Sequence, residues 1–170
     1  MTRSALVVLV PEAEPLVAEH RARHDRMAAR GVPAHVTILH PFRSTVDPAT
    51  ADQVTAITRT FQPFDATLTT VDRFPGDLVF LTPQPTATFR TMMRTVAAAF
   101  PDCPPYGGAH PDPTPHLTVA NGVSVERADE LTDLLSHGLP IHACVDRWTL
   151  LVEDDDRLWT VDRHWMLGDR

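Results

Sequence analysis

Two short segments carry side chains that could do chemistry. His35-Val36-Thr37-Ile38 and His116-Leu117-Thr118-Val119 each set an imidazole and a hydroxyl two residues apart inside an apolar run. Runs of this kind form strands, and alternate residues of a strand share a face. His35, Thr37 and Leu39 are therefore expected to point one way, and Val36 and Ile38 the other. His116 and Thr118 share a face opposite Leu117 and Val119 in the same way. Residues two apart on a strand lie about 6.5 Å apart, within reach of one phosphate. Two such strands side by side would surround a single phosphorus with two imidazoles and two hydroxyls. An imidazole titrates near neutrality, so a pair can supply both the proton acceptor and the proton donor of a phosphoryl reaction. The hydroxyls can hold the non-bridging oxygens as charge builds on them. A structural His–Thr hydrogen bond is the stronger reading of either pair alone; the matched contexts bring a shared site level with it.

Both motif strands sit at equivalent points of a repeated element order. Ser4 to Val10 reads as a buried strand, and Pro11 opens a helix that is expected to end near Gly31. Residues 33–39 form the second strand. Asp47-Pro48 caps a second helix with Val54, Ile57 and Phe61 as its apolar stripe. Phe64 to Val71 and Leu78 to Leu81 make a hairpin across Pro75-Gly76-Asp77. Thr86 is expected to cap a helix with Phe89, Met93, Val96 and Phe100 on its inner side. The Pro- and Gly-rich passage from Pro101 to Pro115 is a long loop, and loops of that length are commonly functional. After the second motif, Ser124 starts a helix that Gly138 ends. Ile141 to Val152 and Leu158 to Leu167 form a closing hairpin. The expected fold is α+β: one domain, 1–170, made of two pseudo-symmetric lobes at approximately 1–85 and 86–170, with exchange of elements between lobes left open.

The totals narrow the partners. The chain has 170 residues, and its 43% hydrophobic and 22% charged residues are ordinary for a soluble single domain; its net charge is −7. A protein that tracks a long phosphate backbone carries a basic surface, so long nucleic acid is not expected and a small or terminal phosphate is the better ligand. No apolar run is long enough to span a membrane, and the apolar stretch Ala5 to Pro11 reads as a strand, not a signal peptide. A cytoplasmic setting is expected, with Cys103 and Cys144 as two buried thiols.

The segments "AHVTILHPF" and "PHLTVA" resemble the signature motifs of the two-histidine (2H) phosphoesterase superfamily, in its 2'-5' RNA ligase-like and cyclic phosphodiesterase branch. The likeness extends through "VPEAEPLV", "PFDATLTTVDRFPG", "FPDCPPYGG" and the closing "RWTLLVE…RLWTVDRHWMLG", nearly the whole chain. It implies a bilobal fold in which two small antiparallel sheets line a cleft, with helices outside. It also implies His35 and His116 as the catalytic pair and Thr37 and Thr118 as phosphate ligands. The expected activity is opening of a 2',3'-cyclic phosphate, on a nucleotide or an RNA 3'-end, to a 2'-phosphate. No metal or other cofactor is called for, and reversible 2'-5' RNA joining is within the family's range. The family usually continues its first motif with Tyr-Pro-Phe; His40 stands in place of that Tyr.

Further substrate contacts are candidates. Phe42 and Tyr106 could stack on a base, with core packing the other reading of Phe42. Arg43, just after the first motif, could reach a phosphate, His40 could stand at the cleft rim, and His110 could face the cleft from the loop. His164 is read as a core neighbour of Trp165. His20 and His24, spaced i and i+4 on the first helix, are read as surface residues because no third metal ligand accompanies them. The rival functional reading is a non-catalytic module that binds nucleotide or RNA-end phosphate on the same fold. A metal-dependent hydrolase is ranked last.

Overall fold

The first strand is apolar at nearly every position because it is central to its sheet. In the computed structural model, which describes residues 3–168, β1 (Ser4–Leu9) lies between β2 (His35–Leu39) and β7 (Arg147–Glu153), and five of its six residues are buried. A strand covered on both faces shows no alternation. β2 does alternate: His35 and Thr37 are half-buried, whereas Val36 and Ile38 are buried. The remaining elements are α1 (Glu14–His24), α2 (Pro48–Thr58), β3 (Phe64–Phe74), β4 (Leu78–Gln84), α3 (Thr86–Ala99), β5 (Leu117–Ala120), α4 (Val125–Ser136), β6 (Ile141–Val145) and β8 (Trp159–Met166).

They form an α+β fold with two antiparallel sheets, ordered β2-β1-β7-β8 and β5-β4-β3-β6. The first sheet takes two strands from the beginning of the chain and two from its end. Each motif strand is an edge strand of its sheet, and the two edges approach one another. The helices cross over: α1, which precedes β2, packs on β5, and α3, which precedes β5, packs on β2. One core therefore serves both sheets, joining Val8 and Val36 to Leu81 and Leu117 through Val17 of α1 and Met92 and Val96 of α3. Burial of these side chains contributes about 1.5–3 kcal/mol each. The shared core also fixes one motif strand relative to the other.

The caps follow the sequence. Asp47 accepts a hydrogen bond from the Thr50 amide at 2.7 Å and Ser124 one from the Arg127 amide at 3.2 Å, satisfying a free N–H at the start of α2 and α4. Elsewhere the structure departs from expectation. α1 ends at His24, short of Gly31, because Asp25 turns extended and its carboxylate accepts from the Arg21 side chain and the Met27 amide. Gly31 ends a separate short turn at φ 90°, where a Cβ would stand 2.9 Å from the Trp159 carbonyl oxygen. α2 stops at Thr58, before Phe61. Pro85, not Thr86, takes the cap position of α3, and the Thr86 hydroxyl donates to the Pro83 carbonyl instead.

The expected single strand from Ile141 to Val152 is two strands in different sheets, divided at Asp146. β6 alternates buried and open residues as an edge strand does, whereas Trp148 to Leu151 are all buried, as in a central strand. Cys103 is buried, but Cys144 is exposed; the two thiols are unpaired.

Candidate active site

A bulge follows the threonine in each motif strand. Val7 pairs with Thr37 and Leu6 with Leu39, leaving Ile38 as the extra residue. Phe80 pairs with Thr118 and Val79 with Ala120, leaving Val119 extra. Bulges bend an edge and re-aim the side chains beside it. One consequence corrects the expected facing of β2: Leu39 joins Val36 and Ile38 in the core and does not follow His35 and Thr37. The matched position of the two bulges repeats the motif in backbone geometry.

The imidazoles are held in matching ways. His35 Nδ1 lies 2.7 Å from the Pro33 carbonyl oxygen, and His116 Nδ1 lies 2.7 Å from the Thr114 carbonyl oxygen. A carbonyl only accepts, so Nδ1 carries the proton and donates in both rings. Each neutral ring then keeps its lone pair on Nε2. Burial pushes the pKa of His35 down to about 4; the Arg21 guanidinium adds to this, and the Pro33 carbonyl and Asp25 oppose it. Burial also lowers the pKa of His116, with His110 adding and the Thr114 carbonyl opposing. The charge of His116 is itself felt at His35 across the two strands.

Phe74 and Phe80 enclose His116. Their ring centroids lie 5.0 and 5.5 Å from its ring, and the two phenyl rings stack on each other at 4.2 Å. Sequence reasoning did not single them out, because their position depends on the register that sets Phe80 opposite Thr118.

The Pro-rich loop supplies Tyr106. Its hydroxyl shares a hydrogen bond with Thr37, its amide donates to the His40 carbonyl at 2.6 Å, and burial raises its phenol pKa. Its ring stands edge-on to His40 and to His110, which is exposed and whose charge reaches His116. Tyr106 adopts a left-handed φ of 51°, followed by Gly107 and Gly108 at 65° and 90°. That conformation costs a non-glycine residue about 1 kcal/mol, offset here by the contacts to Thr37 and His40. Tyr106 thus reaches the site through its hydroxyl, not as an open stacking platform.

Other candidates lie elsewhere. Phe42 is 6% exposed and packs edge-on against Phe100 at 5.0 Å, so it belongs to the core and offers no face to a base. Arg43 is committed to the loop base: Nε and Nη2 donate to Asp102 at 3.2 and 3.1 Å, and Nη1 donates to the Thr50 hydroxyl at 3.0 Å. It anchors the loop that carries Tyr106 and is not a free phosphate ligand. His40 is half-buried between Tyr106 and Trp159, and not at an open rim. His20 and His24 are half-buried, and His24 Nε2 accepts from Arg127 Nε at 3.3 Å. Among the described residues no group of three His, Cys, Asp or Glu side chains is placed to hold a metal ion.

His164 is not core, as the sequence suggested, but exposed. Its Nδ1 lies 2.9 Å from the Thr149 hydroxyl. Thr37, Val7, Thr149 and His164 are successive register partners across the first sheet and so share a face. A cavity of about 350 Å³ opens there, lined by Leu9, Glu12, Arg147, Thr149 and His164. Leu9 is the register partner of His35, so the cavity begins one strand away from the first imidazole.

Comparison with known proteins agrees with this architecture. The sequence profile of the 2'-5' RNA ligase superfamily matches residues 9–157. The chain belongs to that superfamily, the two-histidine phosphoesterases. Among curated proteins none matches. Similar solved structures include LigT of E. coli in complex with 3'-AMP, with a TM-score of 0.62 and 16% identity over 99% of both chains. TT0787 of Thermus thermophilus has a TM-score of 0.60 and 18% identity over 99% of this chain and 100% of its own. These likenesses show the fold. LigT has also been solved with ATP and with NADP+. No helix among the described residues is long and apolar enough to cross a membrane.

Proposed function

We propose that the chain is a metal-independent phosphodiesterase that opens 2',3'-cyclic phosphates, on a nucleotide or an RNA 3'-end, to 2'-phosphates. The observation that carries this reading is the matched pair of Nδ1-to-carbonyl hydrogen bonds, which leaves the lone pair of both neutral rings on Nε2. His35, held neutral down to about pH 4, takes a proton from water. The water oxygen attacks phosphorus and the bond to the 3'-oxygen breaks. His116, lacking a buried guanidinium like Arg21 among the charges acting on it, gives its proton to that departing oxygen. The Thr37 and Thr118 hydroxyls donate to the non-bridging oxygens, with the Tyr106 hydroxyl beside Thr37. The small nucleotides in the LigT structures support a small phosphate ligand of this kind. Unpaired Cys103 and Cys144 suit a cytoplasmic setting. The same chemistry run backwards would join a 2'-phosphodiester without a nucleotide cofactor.

The test is incubation with a panel of nucleoside 2',3'-cyclic phosphates in EDTA, with the product identified by phosphorus NMR. The 2'-phosphate is expected; tight binding with no product would make the protein a phosphate-binding module instead. The cavity beside Leu9 is the space for the attached nucleoside. Two strand spacings carry Thr149 about 10 Å from Thr37, the scale of a nucleoside. His164→Ala is therefore expected to raise KM for cyclic nucleotides about tenfold with little change in kcat. An unchanged KM would remove the nucleoside from that cavity.

A further inference from the structure

The two motif histidines are matched in sequence, in backbone and in their carbonyl partners, yet an acid–base pair needs two different rings. The difference lies behind them. Arg21 of α1 is buried, with 2% of its side chain exposed, and Nη2 donates to Asp25 at 2.9 Å, itself 7% exposed. Arg21 Nη1 also lies 4.0 Å from Glu14 Oε1, which accepts from the Ala34 amide at 2.6 Å. Asp25 Oδ1 accepts from the Met27 amide at 2.9 Å. The carboxylates that gather around Arg21 thus pin both ends of segment 25–34. That segment presents the Pro33 carbonyl to His35 Nδ1. Arg21 Nε makes no hydrogen bond, a cost the fold carries in a buried group.

The second half has a counterpart of different character. Arg94 and Arg90 of α3 hold Asp112, on the segment that presents the Thr114 carbonyl to His116. There the pair is open to solvent, with Arg94 65% and Asp112 51% exposed. A surface pair is screened and contributes little, whereas a buried one is screened much less.

We propose that Arg21 is the positioning residue that makes His35 the proton acceptor of the pair, by clamping the segment that fixes its ring and by setting a buried cation behind it. The proposal rests on the proton-transfer roles assigned above. The charged groups that act on His35 are Arg21 and Asp25 from α1 and its end, and His116 from the residue just before β5. Arg21 disfavours the imidazolium and Asp25 favours it, so the two predict opposite shifts when removed.

The experiment is NMR titration of the full chain with labelled histidine, which reads the His35 midpoint and tautomer directly, alongside the pH profile of kcat/KM on a 2',3'-cyclic nucleotide. Arg21→Met is expected to raise the His35 midpoint by about one unit and to carry the acid limb of the profile up with it. Arg21→Lys, which keeps the charge, is expected to hold the midpoint near the wild-type value. If Arg21→Met does not fold, Asp25→Asn reads the same contact with the opposite sign and lowers the midpoint. A folded Arg21→Met protein, or failing that Asp25→Asn, whose His35 midpoint stays in place would overturn the proposal, whatever its loss of stability or turnover. If the wild-type protein opens no cyclic phosphate while the midpoints shift as expected, the positioning stands and the proposed reaction falls.

Discussion

Replacing either His35 or His116 with alanine is expected to lower kcat/KM on a 2',3'-cyclic nucleotide by about 10²-fold or more, each loss removing one proton transfer from the transition state. A factor of 10² corresponds to about 2.7 kcal/mol of barrier. The two losses should not add, because a ring that takes a proton has little value when the ring that returns one is gone. Both side chains are half-buried, His35 at the start of edge strand β2 and His116 just before edge strand β5, so circular dichroism of the variants should match the wild type. Thr37→Ala and Thr118→Ala each remove one hydroxyl from the anion and should cost less than either histidine. Full activity in either alanine variant of the histidines would end the acid–base assignment.

The pH dependence has the second largest expected effect, and its sign follows from burial. His35 must be neutral to accept a proton, so activity rises with pH through its pKa of about 4. His116 must be protonated to donate, so activity falls as pH rises through its own value, which burial holds below the usual 6.5. The bell for kcat/KM should therefore lie on the acid side, between about pH 4 and 6.5. The profile for kcat should sit at higher pH, because a bound phosphate anion favours the imidazolium. Stability runs the same way. A depressed histidine pKa means the unfolded chain binds the proton first, so stability is full above about pH 6.5 and is lost as the pH falls towards 4. A kcat/KM profile centred well above pH 7 would contradict the burial of both rings.

Much of the candidate site was legible because it lies in local pattern. The alternation in His35-Val36-Thr37-Ile38 and its repeat at His116 pointed to the four side chains proposed for the centre, and Asp47-Pro48 and Ser124 marked helix starts that the structure keeps. The Pro-rich passage announced a loop, and that loop brings Tyr106 to Thr37. What escaped depends on partners far apart in the chain. Phe74 and Phe80 face His116 through strand register, and the bulges after Thr37 and Thr118 exist only once the neighbouring strands are paired. Arg43 looked free beside the motif, but its partner Asp102 is 59 residues away. Arg21 carries no local signal in the sequence; its burial belongs to the packing of α1 on β5. The break at Asp146 had a visible sign, the charged pair Asp146-Arg147 between two mainly apolar runs.

The most direct measurement is a crystal structure with a nucleoside vanadate or similar five-coordinate phosphate mimic bound. His35 Nε2 and His116 Nε2 are expected each to lie within about 2.6–3.2 Å of a different oxygen on the one central atom, with the Thr37 and Thr118 hydroxyls on the oxygens between them. A mimic held by one imidazole alone, or seated away from both, would contradict a shared phosphorus centre.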